Sequence, residues 1–110
     1  MELCAKLKIM RPLAHPDREQ LTLTSVLYAL GDPVRLEIVR ALADRGELCC
    51  NAFDASIAKS TMSHHFRILR ESGLVHSRKD GTQHMNRLRW DDLELVFPGL
   101  LEAVLKAANN

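Results

Sequence analysis

This chain of 110 residues has no apolar run near the roughly 18 consecutive residues that a membrane-spanning helix needs. Its opening residues, MELCAKLKIMRP, lack an apolar segment long enough for a secretory signal. No membrane partner is therefore expected, and the cytoplasm is the default location. Cysteine is scarce: Cys4, Cys49 and Cys50 are an odd number without framework spacing, which argues against a disulfide-stapled scaffold. No nucleophile–base–acid constellation has recognisable spacing, and no glycine-rich loop is built to cradle phosphate, so an enzyme is not expected. Internal repeats and low-complexity segments are also missing.

What is present has the proportions of a soluble globular protein, with 46% apolar and 26% charged residues. The length suits one domain over 1–110 with a modest core. The net charge of +1 conceals a segregation. Residues 59–89 hold seven Lys/Arg against Glu71 and Asp80, whereas residues 90–110 hold Lys106 against four acids. A basic middle between neutral and acidic flanks points to a localised polyanion-binding face.

Hydrophobic spacing divides the chain into helices. Leu3, Leu7 and Met10 make a weak stripe on an N-terminal arm, 1–16, that Pro12 and Pro16 separate from the rest. Leu23, Val26, Leu27 and Leu30 keep helical spacing up to Gly31. Asp32-Pro33 then starts a second helix, Asp as N-cap and Pro in the first turn, which runs to Gly46. Residues 47–58 are ambiguous, with room for one helical turn or two. Asp91 is the expected cap of a C-terminal segment, 91–110, that Pro98-Gly99 interrupts. Phe97, Leu100, Leu101, Val104, Leu105 and Ala108 recur there at i, i+3, i+4, i+7, i+8 and i+11. A small core needs only part of that face. The remainder suits a two-fold helix–helix interface with a second copy.

Residues 60–89 carry the functional pattern. Ser60 is expected to cap a helix whose Met62, Phe66 and Leu69 form its apolar face, and Gly73 ends it. Thr61, His64, Arg67 and Arg70 fall on the other side, and His65 is expected to point inward. An Asp80-Gly81 turn then joins two strands, Leu74–Arg78 and Gln83–Arg89, into a hairpin with a basic tip. A polar, basic helix face beside a basic hairpin suits duplex DNA, because the major groove admits a helix and phosphates attract Arg and Lys. On this reading Ser60, Thr61, Ser63 and His64 reach base edges. Arg67 and Arg70, later on the helix, contact phosphate. Arg78, Lys79, Thr82, Gln83 and the outward-facing Arg87 complete the surface from the hairpin. The alternative is a module of the same shape that binds protein and no specific DNA.

The succession helix, helix, short segment, helix, hairpin, helix resembles the ArsR/SmtB family of winged-helix repressors. The residues that carry the resemblance are Ala29-Leu30-Gly31-Asp32-Pro33-Val34-Arg35-Leu36-Glu37-Ile38, Gly46-Glu47-Leu48-Cys49, the run from Ser60 to Val75, and Arg78-Lys79-Asp80-Gly81. It implies a mainly α fold with a β-hairpin, a winged helix-turn-helix that dimerises through its terminal helices. It also implies a homodimer that binds operator DNA and is released by an inducer. From Glu47 to Ser63 the chain is somewhat shorter than the family pattern, so the helix ahead of the DNA-reading helix is expected to be shortened or irregular. Metalloid-sensing relatives place thiols near Cys49 and Cys50, and the resemblance implies Cys4 as a third thiolate if the site takes a metalloid or soft metal. The adjacent pair departs from the Cys-x-Cys spacing often seen, and a redox sensor or a regulator without metal fits the residues too. Zinc-sensing relatives use His on the last helix. No His follows Trp90 here, so that site is not expected.

Overall fold

A computed structural model of the chain describes residues 13–109. Cys4 and the Leu3-Leu7-Met10 stripe lie outside the described residues. Helix α1 (Leu23–Leu30) starts where Thr22 Oγ1 accepts the Ser25 N–H at 3.3 Å, and Gly31 closes it. Helix α2 (Pro33–Arg45) starts as its sequence dictates: the Asp32 carboxylate accepts the Val34 and Arg35 N–H groups at 2.9 and 3.1 Å. A short strand, β1 (Leu48–Cys49), and one 3-10 turn (Cys50–Ala52) follow. The ambiguous 47–58 stretch thus holds one 3-10 turn and no α-helix, where a shortened or irregular helix is expected from the sequence. Helix α3 (Lys59–Ser72), strands β2 (Val75–Asp80) and β3 (Gln83–Leu88), and helices α4 (Trp90–Val96) and α5 (Leu100–Ala108) complete the order. Among the described residues, no helix is long and apolar enough to cross a membrane.

Three details differ from the sequence reading. Ser60 does not cap α3: the cap position falls two residues earlier, at Ala58, with no side-chain cap bond, and the helix runs from Lys59. Asp91 is likewise no cap. Helix α4 starts at Trp90, and Asp91 and Asp92 lie in its first turn, where their charge favours the helix dipole. The hairpin turns one residue later than Asp80-Gly81. Asp80 pairs with Gln83, so Gly81 and Thr82 form the two-residue loop, with positive φ only at Gly81. That is the pattern of a type II′ turn, which needs glycine at its first position.

The strands form an antiparallel sheet in the order β1-β3-β2, with Leu48 opposite Asn86 and Val75 opposite Leu88. The wing is therefore three-stranded. The core is built from Val26 and Ala29 of α1, Ile38, Val39 and Leu42 of α2, and Phe66 and Leu69 of α3, together with Leu74 and Val75. Leu93 and Leu101 join from α4 and α5. Leu23 and Leu27 belong to the α1 stripe but stay about half exposed, at 45% and 46%. Trp90 is 39% exposed where strand gives way to helix.

Candidate nucleic-acid interface

Helix α3 is held by its inner face. Phe66 and Leu69 are buried there, and His65 is 8% exposed, inward as its position suggested. Its Nδ1 accepts a hydrogen bond from Arg35 Nη1 at 3.2 Å, because a guanidinium can only donate. Arg35, itself buried, also donates to the carbonyls of Ala29 at 2.8 Å and Tyr28 at 3.2 Å. Asp32 Oδ2 lies 3.9 Å from His65 Nδ1. One buried guanidinium thus ties the end of α1, the start of α2 and the inner face of α3. Sequence reasoning missed Arg35. Its signal was a charge one residue from the apolar positions of α2.

The outer face is presented by the same register. Ser60, Thr61, Ser63, His64 and Arg67 are all exposed. Arg67 Nε sits 3.3 Å from Glu71 Oε2, with both side chains more than 60% exposed. Such a pair is worth at most about 1 kcal/mol, so Arg67 is readily diverted to another anion. Arg70 does not share this face: it is half-buried on a neighbouring stripe, beside Cys50. The helix turn explains the displacement, since Arg70 lies above Met62, Ser63 and Phe66 rather than above Thr61 and His64.

On the wing, Lys79, Thr82, Gln83 and Arg87 are exposed. Arg78 is engaged. Its Nη2 and Nε donate to the two oxygens of Glu47 at 2.8 and 3.2 Å, and these bonds hold the Glu47 carboxyl below the usual carboxylate range. By contrast the ion pairs among the described residues involve neither Lys79 nor Arg87. Strand alternation places Arg87 outward and its neighbour Asn86 fully inward. Asn86 Oδ1 accepts the Ser77 hydroxyl at 2.5 Å, while Nδ2 donates to the Leu48 carbonyl at 3.2 Å and lies 3.4 Å from Cys50 Sγ. This buried amide fastens β1 to the wing. Only the inward parity of position 86 hinted at it.

Cys49 and Cys50 are free thiols, each half-buried. Among the described residues no group of three His, Cys, Asp or Glu side chains gathers in a way that would hold a metal ion. On the apolar face of the last segment, Leu101 is buried within the chain at 3% exposure. Phe97, Leu100, Val104, Leu105 and Ala108 are half-buried.

A helix supported from behind by α2, offering its first turns to solvent beside a basic three-stranded hairpin, defines a winged helix-turn-helix protein. Comparison with known proteins agrees. A family described as a helix-turn-helix domain matches residues 30–78. The HTH-type transcriptional regulator YceK of Bacillus subtilis is 40% identical over 82 residues, which is 72% of this chain and 82% of the relative. The arsenical resistance operon repressor of Staphylococcus xylosus is 38% identical over 80 residues, 71% of this chain and 76% of that protein. The structure of HlyU from Vibrio cholerae N16961 superimposes with a TM-score of 0.65 at 24% identity, covering 79% of this chain and 91% of that one, and so shares the fold. The chain belongs to the ArsR/SmtB family of helix-turn-helix transcriptional regulators, a DNA-binding and non-enzymatic family.

Proposed function

We propose that this regulator is a homodimeric repressor that reads a palindromic operator with the outer face of α3 and grips the flanking backbone with its wing. The observation that carries the reading is the exposed run Ser60, Thr61, Ser63 and His64 on the first turns of α3, beside the unpaired cations of the wing. Short hydroxyls and an imidazole can donate to or accept from base edges in the major groove. Arg67, Lys79 and Arg87 supply phosphate contacts, and Arg78 joins them by exchanging its solvent-screened surface pair with Glu47 for a phosphate. Thr82 and Gln83 at the wing tip add polar contacts to the backbone or the minor groove. The half-buried Phe97, Leu100, Val104, Leu105 and Ala108 supply the dimer surface, with Leu101 behind them in the core.

Two-fold symmetry sets the two α3 helices one duplex turn apart, about 34–36 Å. Footprinting at low salt should therefore show two related half-sites at that spacing. Selection on randomised duplexes should return an altered preference for His64→Ala. Arg67→Ala and Lys79→Ala should weaken all sequences alike and lower the salt slope by about 1 each. A single asymmetric half-site, or no duplex binding, would replace this reading with that of a protein-binding module. A thiol-directed inducer would act through Cys49 and Cys50, with Cys4 as third ligand. Cys49→Ser, Cys50→Ser should then keep operator affinity and lose the response to arsenite or peroxide.

A further inference from the structure

Between α3, the 50–58 connection and the wing tip lies an open groove of about 590 Å³. It exists because the connection holds one 3-10 turn and a turn in which Asp54 Oδ1 accepts the Ser56 N–H, rather than a helix that would fill the space. The stripe of α3 that faces it is Lys59, Met62, Ser63, Phe66 and Arg70, at i, i+3, i+4, i+7 and i+11. Phe53 and Ile57 form the opposite wall, and the Phe53 and Phe66 rings meet edge-on at 5.4 Å between centroids. The volume falls in the range of about 300–1,000 Å³ usual for small-molecule sites, which combine apolar walls with a few placed polar groups.

Arg70 is the polar group that matters. Burial pushes its guanidinium down from its ordinary pKa, the Glu71 carboxylate partly offsets this from a distance, and Arg70 makes no side-chain hydrogen bond or ion pair among the described residues. The acid among the residues that line the groove, Asp54, is exposed and occupied by Ser56. A partly desolvated guanidinium without a hydrogen-bonded acid partner, with aromatic walls beside it, is complementary to a flat organic anion. The acid group of such an ion can accept two parallel N–H bonds from the guanidinium fork. We propose that the groove binds a small aromatic carboxylate or sulfonate, its acid group on Arg70 and its ring against Phe53 and Phe66. Ser63, Thr82 and Gln83 sit on the rim and also belong to the DNA surface proposed above. Resting on that reading, occupancy lowers duplex affinity, by a factor in the usual allosteric range of about 5–150.

The test uses the full chain with 1-anilinonaphthalene-8-sulfonate, and with N-phenyl-1-naphthylamine as its uncharged counterpart. Saturable sulfonate binding at one site per chain is expected. Arg70→Gln should weaken it about tenfold or more and leave the uncharged probe within about twofold, while Arg70→Lys, which keeps the charge but loses the fork, should fall between Arg70→Gln and the unaltered protein. Equal losses for both probes, or no saturable sulfonate binding, would overturn the proposal. If Arg70→Gln does not fold, displacement of the uncharged probe from the unaltered protein decides. Benzoate should displace it at least about tenfold better than benzamide, and equal displacement refutes the site. Duplex titration without probe keeps the two proposals apart. Charge-dependent probe binding without duplex binding removes the DNA reading and keeps the groove. Duplex binding without probe binding does the reverse.

Discussion

Gly73→Ala would test how the DNA-reading helix is joined to the wing. Gly73 ends α3 in the left-handed region, at φ 88° and ψ 4°, and Leu74 N–H closes back on the Leu69 carbonyl at 3.1 Å. A Cβ on an L-residue there costs about 1–2 kcal/mol in backbone energy alone. It would also overlap Leu21 Cδ2 and press on Leu21 Cγ at 3.3 Å. Leu21 is 8% exposed, so its side chain must find another rotamer inside the core rather than swing into water. Forcing that adds about 1–2 kcal/mol. The sum of about 2–4 kcal/mol is a large share of the 5–15 kcal/mol that stabilises a small domain. For a chain of this size it should lower Tm by about 10–20 °C. Urea unfolding followed by circular dichroism gives the equilibrium value. In a Leu21→Ala background the overlap is gone, so Gly73→Ala should then cost only the backbone portion, leaving a coupling of about 1–2 kcal/mol. Equal costs in both backgrounds would refute the packing argument. A cost below about 0.5 kcal/mol would refute the left-handed helix end as well.

Asn86→Ala strands the Ser77 hydroxyl and the Leu48 carbonyl, and should cost about 2–3 kcal/mol in chemical denaturation, with hydrogen exchange rising first in β1. Leu105→Glu buries an unpaired carboxylate in the proposed dimer surface, so sedimentation should show a folded monomer. Leu101→Glu, at a position buried within the chain, should instead lose helical signal. The His15 ring stacks on His76 at 4.3 Å, and its Nε2 accepts the Ser77 N–H at 2.9 Å. Burial, then His76 and the cations of Arg70 and Arg89, lower its pKa from 6.5 to about 4. The unfolded chain therefore takes up this proton below pH 6.5 and the folded chain not until about pH 4. The stability it contributes is complete above pH 6.5 and is lost as the pH falls towards 4. Urea midpoints measured across that window should fall less steeply in His15→Gln, and an unchanged slope would exclude His15 as the cause.

What could be read from the chain in advance was whatever neighbouring residues decide among themselves. Asp32-Pro33 starts α2 because a carboxylate and a fixed φ act within one turn, and Gly31 and Gly73 end α1 and α3 where a helix is left without a next residue to continue it. The outward set Ser60, Thr61, His64 and Arg67 and the inward His65 follow from helical period, and Arg87 outward with Asn86 inward follows from strand period. The cap of α3 at Ala58 and the loop at Gly81-Thr82 lie two residues and one residue from their expected places, since a cap without a side-chain bond leaves no trace and strand pairing fixes the turn. Arg35 meeting His65 across 30 residues, and Leu48 meeting Asn86 across 38, were illegible. So was the displacement of Arg70 from the solvent face to the groove. Those contacts are selected by burial: a donor removed from water takes whichever acceptor the packed elements bring near, and only the tertiary structure decides which one that is.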